Sequence, residues 1–233
     1  MKNLAEYQAE RTGAYNMIAK GIFFDDTHSY YDLNLILSAV NIPPAKPKTT
    51  YVEVPGADGS IDLTEAHGDV KYSDRECEFV FAVHPLDVPY WEDKKTEISN
   101  LLNGRTFKIT LDKDEEFYYQ GRCTVDSYES DKNFKQIVIS AKVKPYKYKQ
   151  NLTVVTASLS GTPKTLVILN GRKAVSPTIE CTNDNTVVAL GDATYKLNAG
   201  THKILDIRFV EGNNVVTVSG SGTITFRYQE AEL

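Results

Sequence analysis

Carboxylates gather at two places along this chain. In "YVEVPGADGSIDLTEAHGDVKYSDRECEFVFAV", residues 51–83, Asp58, Asp62 and Asp74 stand among turns. Paired acids of this kind are what glycoside hydrolysis uses, one giving a proton while the other acts as base or nucleophile. In "DKDEE", Asp112, Asp114, Glu115 and Glu116 begin like a calcium loop. Neither set completes its chemistry. A calcium loop needs a glycine at its sixth position and a glutamate at its twelfth, and both are missing here. The stretch reads instead as the turn of a hairpin. In the first set, Asp58-Gly59 is a turn dipeptide, and Asp62 or Thr64 suits the cap of a short helical turn that Glu65 would favour. Arg75 follows closely enough to pair with one of these carboxylates and pin the loop. The passage is then a structural elbow, not a catalytic loop.

Other chemistry is equally thin. His28, His67, His84 and His202 are scattered, no two at metal-ligand spacing, and each suits a turn or the surface. Cys77, Cys123 and Cys181 are odd in number and far apart, which suggests free thiols in a reducing compartment, not a disulfide framework or a zinc site. No nucleophile elbow, phosphate-binding loop or H-E-x-x-H helix is present. The residues therefore predict no catalytic group, no cofactor and no metal.

The elements that hold these residues are mostly strands. In "YYDLNLILSAV", Leu33, Leu35 and Leu37 share a face by alternation, and "TTYVEV" alternates up to Pro55. From Arg75 onward, Cys77, Phe79, Phe81 and Val83 point one way while Glu76 and Glu78 point the other. "TFKITL" places Phe107, Ile109 and Leu111 inward with Lys108 and Thr110 outward, and "KQIVISAKVK" does the same with Ile137, Ile139, Ala141 and Val143. One stretch has helical spacing instead: Trp91, Lys95, Ile98 and Leu102 form a stripe, with Asp87 or a neighbour placed to cap it and Gly104 to end it. Such a helix would cover one face of the sheet, anchored by Trp91.

After "KVKPYKYKQN" the texture changes to Thr, Val, Asn and Gly. Short strands ("LTVVTASL", "KTLVIL", "PTIECT", "TVVAL", "TYKLN", "HKILDIRFV", "NVVTVSG", "TITFRY") alternate with turn signals, as in a jelly-roll-like sandwich. A boundary is expected near residues 145–151, dividing the chain into 1–146 and 147–233. Charge divides there as well: residues 1–145 carry 17 basic and 24 acidic side chains, net −7, and residues 146–233 carry 9 and 7, net +2. The whole chain of 233 residues has a formal charge of −5 and no basic block of the kind that grips phosphate, which disfavours nucleic-acid binding. No run of about 18 apolar residues suggests a membrane span. The N-terminal "MKNLAEYQAERTGAYNMIAKG" lacks the apolar core of a secretory signal, and its start reads as a short polar helix or loose arm.

The acidic passage also carries a family signature. Pro55, Gly56, Asp58, Gly59, Asp62, Leu63, Thr64, Tyr72, Asp74 and Arg75 stand in the pattern V-P-G-x-D-G-x-x-D-L-T…Y-x-D-R, which resembles the distal tail (Dit) proteins of long-tailed siphophages. "ISNLLNGRTFKITLDKDEEFYYQGRCTV", "ISAKVKPYKYK" and "AGTHKILDIRFVEGNNVVTVSGSGTITFRYQEAEL" are similar to later parts of the same family. About fifteen residues precede the family's usual start at "IAKGIFFDDTHS", and nothing in the family accounts for them. The resemblance implies a mainly β protein with one helix: a tail-tube-like β-sandwich ring domain, then a galectin-like or jelly-roll sandwich.

It also implies a non-enzymatic structural component of the virion tail tip, made in the host cytoplasm from a phage or prophage gene. The implied partners are five like subunits in a homo-hexamer, as one ring or two stacked rings. Beyond these come the tail tube and its terminator, the tail-associated fibre or lysin, and receptor-binding proteins. The rival reading is a carbohydrate-binding module recognising a host-surface glycan. It needs exposed aromatics in the second half, where Tyr146, Tyr148, Tyr195, Phe209, Phe226 and Tyr228 mostly fall in strands or the linker.

Overall fold

The structure, a computed structural model, describes residues 21–66, 68–131 and 135–233. The N-terminal arm expected over 1–15 and the candidate His67 lie outside the described residues. The chain separates into two compact units, Met1–Pro145 and Tyr146–Leu233.

Alternating β-branched and aromatic residues build the first unit. Its elements are β1 (Ile22–Phe24), β2 (Thr27–His28), β3 (Leu35–Asn41), β4 (Tyr51–Glu53), β5 (Ser60–Asp62), β6 (Arg75–Val83), α1 (Trp91–Leu102), β7 (Thr106–Leu111), β8 (Phe117–Ser130) and β9 (Lys135–Val143). All the strands except β4 and β5 join one antiparallel sheet in the order β2-β1-β7-β8-β9-β6-β3. Period-two alternation buries Cys77, Phe79, Phe81 and Val83 of β6 on the same face as Ile137, Ile139, Ala141 and Val143 of β9. Cross-strand rows such as Val125–Ile139–Phe79 run across that face. Each large side chain so buried contributes about 1.5–3 kcal/mol. Thr110 points away from this core, as alternation requires, yet is buried. It lies beside Phe23 of β1, where the rings of Phe23, His28 and Tyr31 cover the second face of the sheet edge.

The helix packs Ile98 and Leu102 into this core, with Trp91 partly buried against it. Two expectations about the helix are corrected. The buried cation is Lys94, not Lys95: its ammonium donates to the Leu33 carbonyl at 3.2 Å and pairs with Asp87 at 3.0 Å and Glu97 at 2.7 Å. Three acceptors compensate the desolvation that a buried ammonium suffers. Lys95 instead lies over the Trp91 ring, 5.7 Å from its centroid. Nor does Asp87 cap the helix. A 3₁₀ turn, Pro85–Tyr90, comes first, so Tyr90 holds the cap position and makes no side-chain capping bond. Gly104 does follow the helix in the left-handed region, φ 75°.

The second unit contains β10 (Lys147–Lys149), β11 (Thr153–Ser160), β12 (Lys164–Asn170), β13 (Thr178–Cys181), β14 (Thr186–Leu190), β15 (Ala193–Leu197), β16 (Gly200–Lys203), β17 (Gly212–Ser219), β18 (Ser221–Tyr228) and β19 (Ala231–Glu232). Two four-stranded sheets, β11-β18-β13-β16 and β12-β17-β14-β15, enclose one core. The pairing is nested: β11 with β18, β12 with β17, β13 with β16, β14 with β15. This is a hairpin rolled into a sandwich, the jelly roll. The protein is thus mainly β, with one α-helix among the described residues.

"HKILDIRFV", expected as one strand, is divided. His202 and Lys203 end β16, and the chain then loops so that Ile207 and Phe209 plug the sandwich, both fully buried. Two buried amides hold that loop. Asn214 accepts from the Val210 N–H at 2.8 Å and donates to the Ile168 carbonyl at 3.2 Å, and Asn170 donates to the Phe209 carbonyl at 3.2 Å. The Tyr228 hydroxyl donates to the Leu169 carbonyl, and burial pushes its pKa up to about 12.

Expressed alone, residues 146–233 should fold, with a β-type circular dichroism spectrum and one cooperative transition. Asn214→Ala should lower that stability by about 1–3 kcal/mol, because buried carbonyl and amide groups lose their partner. An unfolded product would show that the two halves need each other.

Candidate functional site

Between β3 and β6 the chain leaves the sheet and forms an arm. Residues 46–48 run antiparallel to 71–73, with Lys48 N–H donating to the Lys71 carbonyl at 2.7 Å and Ser73 N–H to the Lys46 carbonyl at 2.9 Å. Beyond this stem, β4 and β5 pair as a hairpin with Tyr51 opposite Asp62, Val52 opposite Ile61 and Glu53 opposite Ser60. Its tip is a turn over Val54-Pro55-Gly56-Ala57, closed by the Ala57 N–H to the Val54 carbonyl at 3.1 Å. Pro55 presets φ at the second position and Gly56, at φ 84°, supplies the positive angle a type II turn needs at the third.

No described residue between 43 and 74 is buried. A two-stranded hairpin is marginal in water by itself, and this one exposes Tyr51, Val52, Val54, Ile61 and Leu63. The same stretch is acidic: Glu53, Asp58, Asp62 and Glu65 occur with no Lys or Arg between 49 and 70. On the solvent side of the sheet, Lys108, Arg122, Lys142 and Lys144 are exposed, with Arg122 opposite Lys142 in the register. The same face bears the exposed Glu76 and Glu78, with Lys142 3.8 Å from Glu76, so the basic patch is Lys108, Arg122 and Lys144. The first unit thus carries an apolar, acidic arm and, on a sheet face of mixed charge, a basic patch.

The signature residues divide by place. Pro55, Gly56, Asp58 and Gly59 shape the hairpin tip. Asp62 accepts from the Thr64 N–H at 2.9 Å, and the Leu63 N–H donates to the Thr50 carbonyl at 2.8 Å, so the chain turns back along the hairpin. The Thr64 hydroxyl and then its backbone N–H hold the Asp62 carboxyl below the ordinary carboxylate range. Tyr72 bridges to Pro47 in the stem, and Asp74 is exposed where the arm rejoins the sheet. Arg75 is a correction. It is buried and pairs with none of these carboxylates; its guanidinium donates to the Pro145 carbonyl at 2.8 Å and lies over the Tyr119 ring at 5.7 Å. It pins the last strand of the unit, not the elbow.

The remaining candidates are structural too. "DKDEE" is the β7–β8 turn, with Asp114 N–H donating to the Leu111 carbonyl and Phe117 N–H to the Asp114 carbonyl. Asp112 turns inward: it accepts from the Gly21 N–H at 2.9 Å and meets His28 Nε2 at 3.3 Å. His28, expected at a turn or the surface, is fully buried. Its Nδ1 accepts from the N–H groups of Tyr30 and Tyr31, which places the ring proton on Nε2, toward Asp112. The three cysteines are free and buried. Burial raises the Cys77 thiol to about 11 and the Cys123 thiol to about 12. Ala141 stands between these two on the sheet, a separation of about 9.5 Å at ordinary strand spacing, too far for a disulfide. No cluster that could hold a metal occurs among the described residues.

No family model and no curated protein matches this chain. Among solved structures it is similar to the crystal structure of the SPP1 Dit (gp 19.1) protein, described as a paradigm of the hub adsorption apparatus in phages that infect Gram-positive bacteria. The TM-score is 0.64 at 15% sequence identity, over 91% of this chain and 99% of that one. At such identity the likeness is one of fold.

Two measurements check the site's chemistry. All three thiols should resist an exposed-thiol reagent in the native protein and react at once in denaturant; a fast native reaction would contradict their burial. Asp62 should titrate below the ordinary carboxylate range by NMR, and Thr64→Val should move it up. Because its folded pKa is depressed, whatever stability it contributes is present above the unfolded pKa and lost as pH falls through the folded one.

Proposed function

We propose that the protein is a non-enzymatic, ring-forming hub component of a phage tail tip, joining the tail tube to the fibre or lysin and to receptor-binding proteins. The observation that carries this reading is the arm: a hairpin with apolar side chains exposed and nothing of its own unit beneath it. The likeness of fold to the SPP1 Dit protein supports the same reading. Ring contacts are heterologous, so each subunit needs two different complementary surfaces. The acidic, apolar arm and the patch of Lys108, Arg122 and Lys144 are such a pair, the arm of one copy seated on the patch of the next. Six copies closed in this way form the hexamer, alone or as two stacked rings. The net −7 of residues 1–145 suits a ring around a DNA conduit, since matching charge discourages adhesion to phosphate.

The glycan-module reading finds less support. Phe209, Phe226 and Tyr228 of the second unit are buried, and Tyr146, Tyr148 and Tyr195 are half-buried, so no open stacking platform is presented.

Light scattering after size exclusion at high protein concentration, followed by negative-stain imaging, tests the hub. Six-fold annular particles are expected, weakened by salt. The double variant Tyr51→Glu, Ile61→Glu should keep the wild-type melting transition, because both side chains are exposed, yet lose the ring. A strict monomer at millimolar concentration that binds glycans tightly would favour the rival. A hydrolase activity lost in a folded Asp58→Asn or Asp62→Asn variant would overturn the non-enzymatic assignment.

A further inference from the structure

The jelly roll ends its two sheets in β11, β12, β15 and β16, and these edges are not equally guarded. Natural edge strands carry lysines, prolines or bulges that prevent pairing with another chain. Lys196 stands within β15 and Lys203 ends β16. The outward side of β11 is largely hydroxyl, with Thr156, Ser158 and Ser160. β12 differs: after Lys164 it reads Thr-Leu-Val-Ile-Leu, without charge or glycine, and among the described residues it pairs on one side only, with β17. Val167 is 64% and Leu169 63% exposed, and Val215, opposite Val167 on β17, is 56% exposed. A short, uncharged strand of high β propensity with one free edge is a template for another strand.

The order of residues in β12 says which strand fits. Paired antiparallel with itself about Val167, the strand places Val167 opposite Val167 and Thr165 opposite Leu169 on the solvent side. On the core side, Leu166 falls opposite Ile168. Lys164 falls opposite Asn170, so no charge meets its like, and apolar meets apolar at the centre. Cross-strand pairs of this kind, with Cβ atoms about 5 Å apart, are the unit of sheet stabilisation.

We infer that β12 pairs with β12 of a second copy, joining two jelly rolls edge to edge across a two-fold axis through Val167. The contact is isologous, unlike the head-to-tail contacts of a ring, and it needs no ring to form. In a ring-forming protein it would join two rings face to face.

The test uses the full chain. Val167→Cys should be captured as a covalent dimer by a short thiol cross-linker, while Thr194→Cys on β15 should not; the native cysteines are buried and stay silent. Val167→Lys places two ammonium groups together at the axis and should halve the mass seen in sedimentation without changing the melting transition. If the ring reading fails and this one holds, the wild type sediments as a dimer and Val167→Lys as a monomer. If this one fails, Val167→Lys leaves the wild-type mass unchanged and Val167→Cys cross-links no more than Thr194→Cys. Either of those results overturns the self-pairing and leaves the β12 edge to a strand of another protein.

Discussion

An antiparallel sheet cannot satisfy the outer backbone groups of its own last strands, and the chain answers this constraint differently at each edge. In the first unit the sheet ends at β2, only two residues long. There His28 turns the chain, accepting two backbone N–H groups on one nitrogen while its other faces the buried carboxylate of Asp112. Asp112 also takes the Gly21 N–H, so one side chain from the β7–β8 turn ties down the start of β1 and the ring that ends β2. At the other end β3 is irregular, its register shifting between Leu37 and Ala39. In the second unit lysines occupy two edges, and β12 has a strand on one side only among the described residues.

Several polar side chains buried among the described residues answer structural needs. Lys94 meets two carboxylates and a carbonyl and locks the helix to the turn before β3. Arg75 takes the Pro145 carbonyl, and Asn214 takes the strand and loop at the end of the sandwich. A catalytic centre would hold a titratable group poised beside a cavity, with something to orient it. Among the described residues, the acids that first suggested hydrolysis stand on an exposed hairpin, and Asp112, which lines a cleft with Leu37, Val40 and Lys113, receives the Gly21 N–H and faces the His28 ring.

How much of this was legible in sequence follows from how local each cause is. The faces of β6 and β9 could be read because alternation is a property of neighbours, and one hydrophobic face met its complement. The hairpin turn at "DKDEE" and the left-handed Gly104 were legible for the same reason. Alternation in "TTYVEV" was genuine but misleading about burial, since nothing covers that strand within its own unit. His28 and Arg75 were misread because their partners, Asp112 and Pro145, are distant along the chain. Lys94 was hidden behind Lys95: helical spacing admits both, and the acceptors Asp87 and the Leu33 carbonyl, both outside the helix, decide which ammonium goes inward. The break in "HKILDIRFV" depends on Asn214, which sequence shows as one polar residue in a strand.

The nested pairing of the jelly roll has a consequence for the order of events on the ribosome. The first unit is complete in sequence once Pro145 has emerged, and many of its pairings join consecutive strands. The jelly roll pairs its outermost long strands last, since Thr153 of β11 meets Tyr228 of β18. Only β14 and β15, at the centre of the nest, are neighbours joined by a tight turn. The second half therefore closes outward from that central hairpin, and its first long strand waits unpaired until almost the whole chain has been made. Long-range pairing of this kind is slow and exposes strand edges while it lasts. The polar, hydroxyl-rich character of β11 suits a strand that must wait.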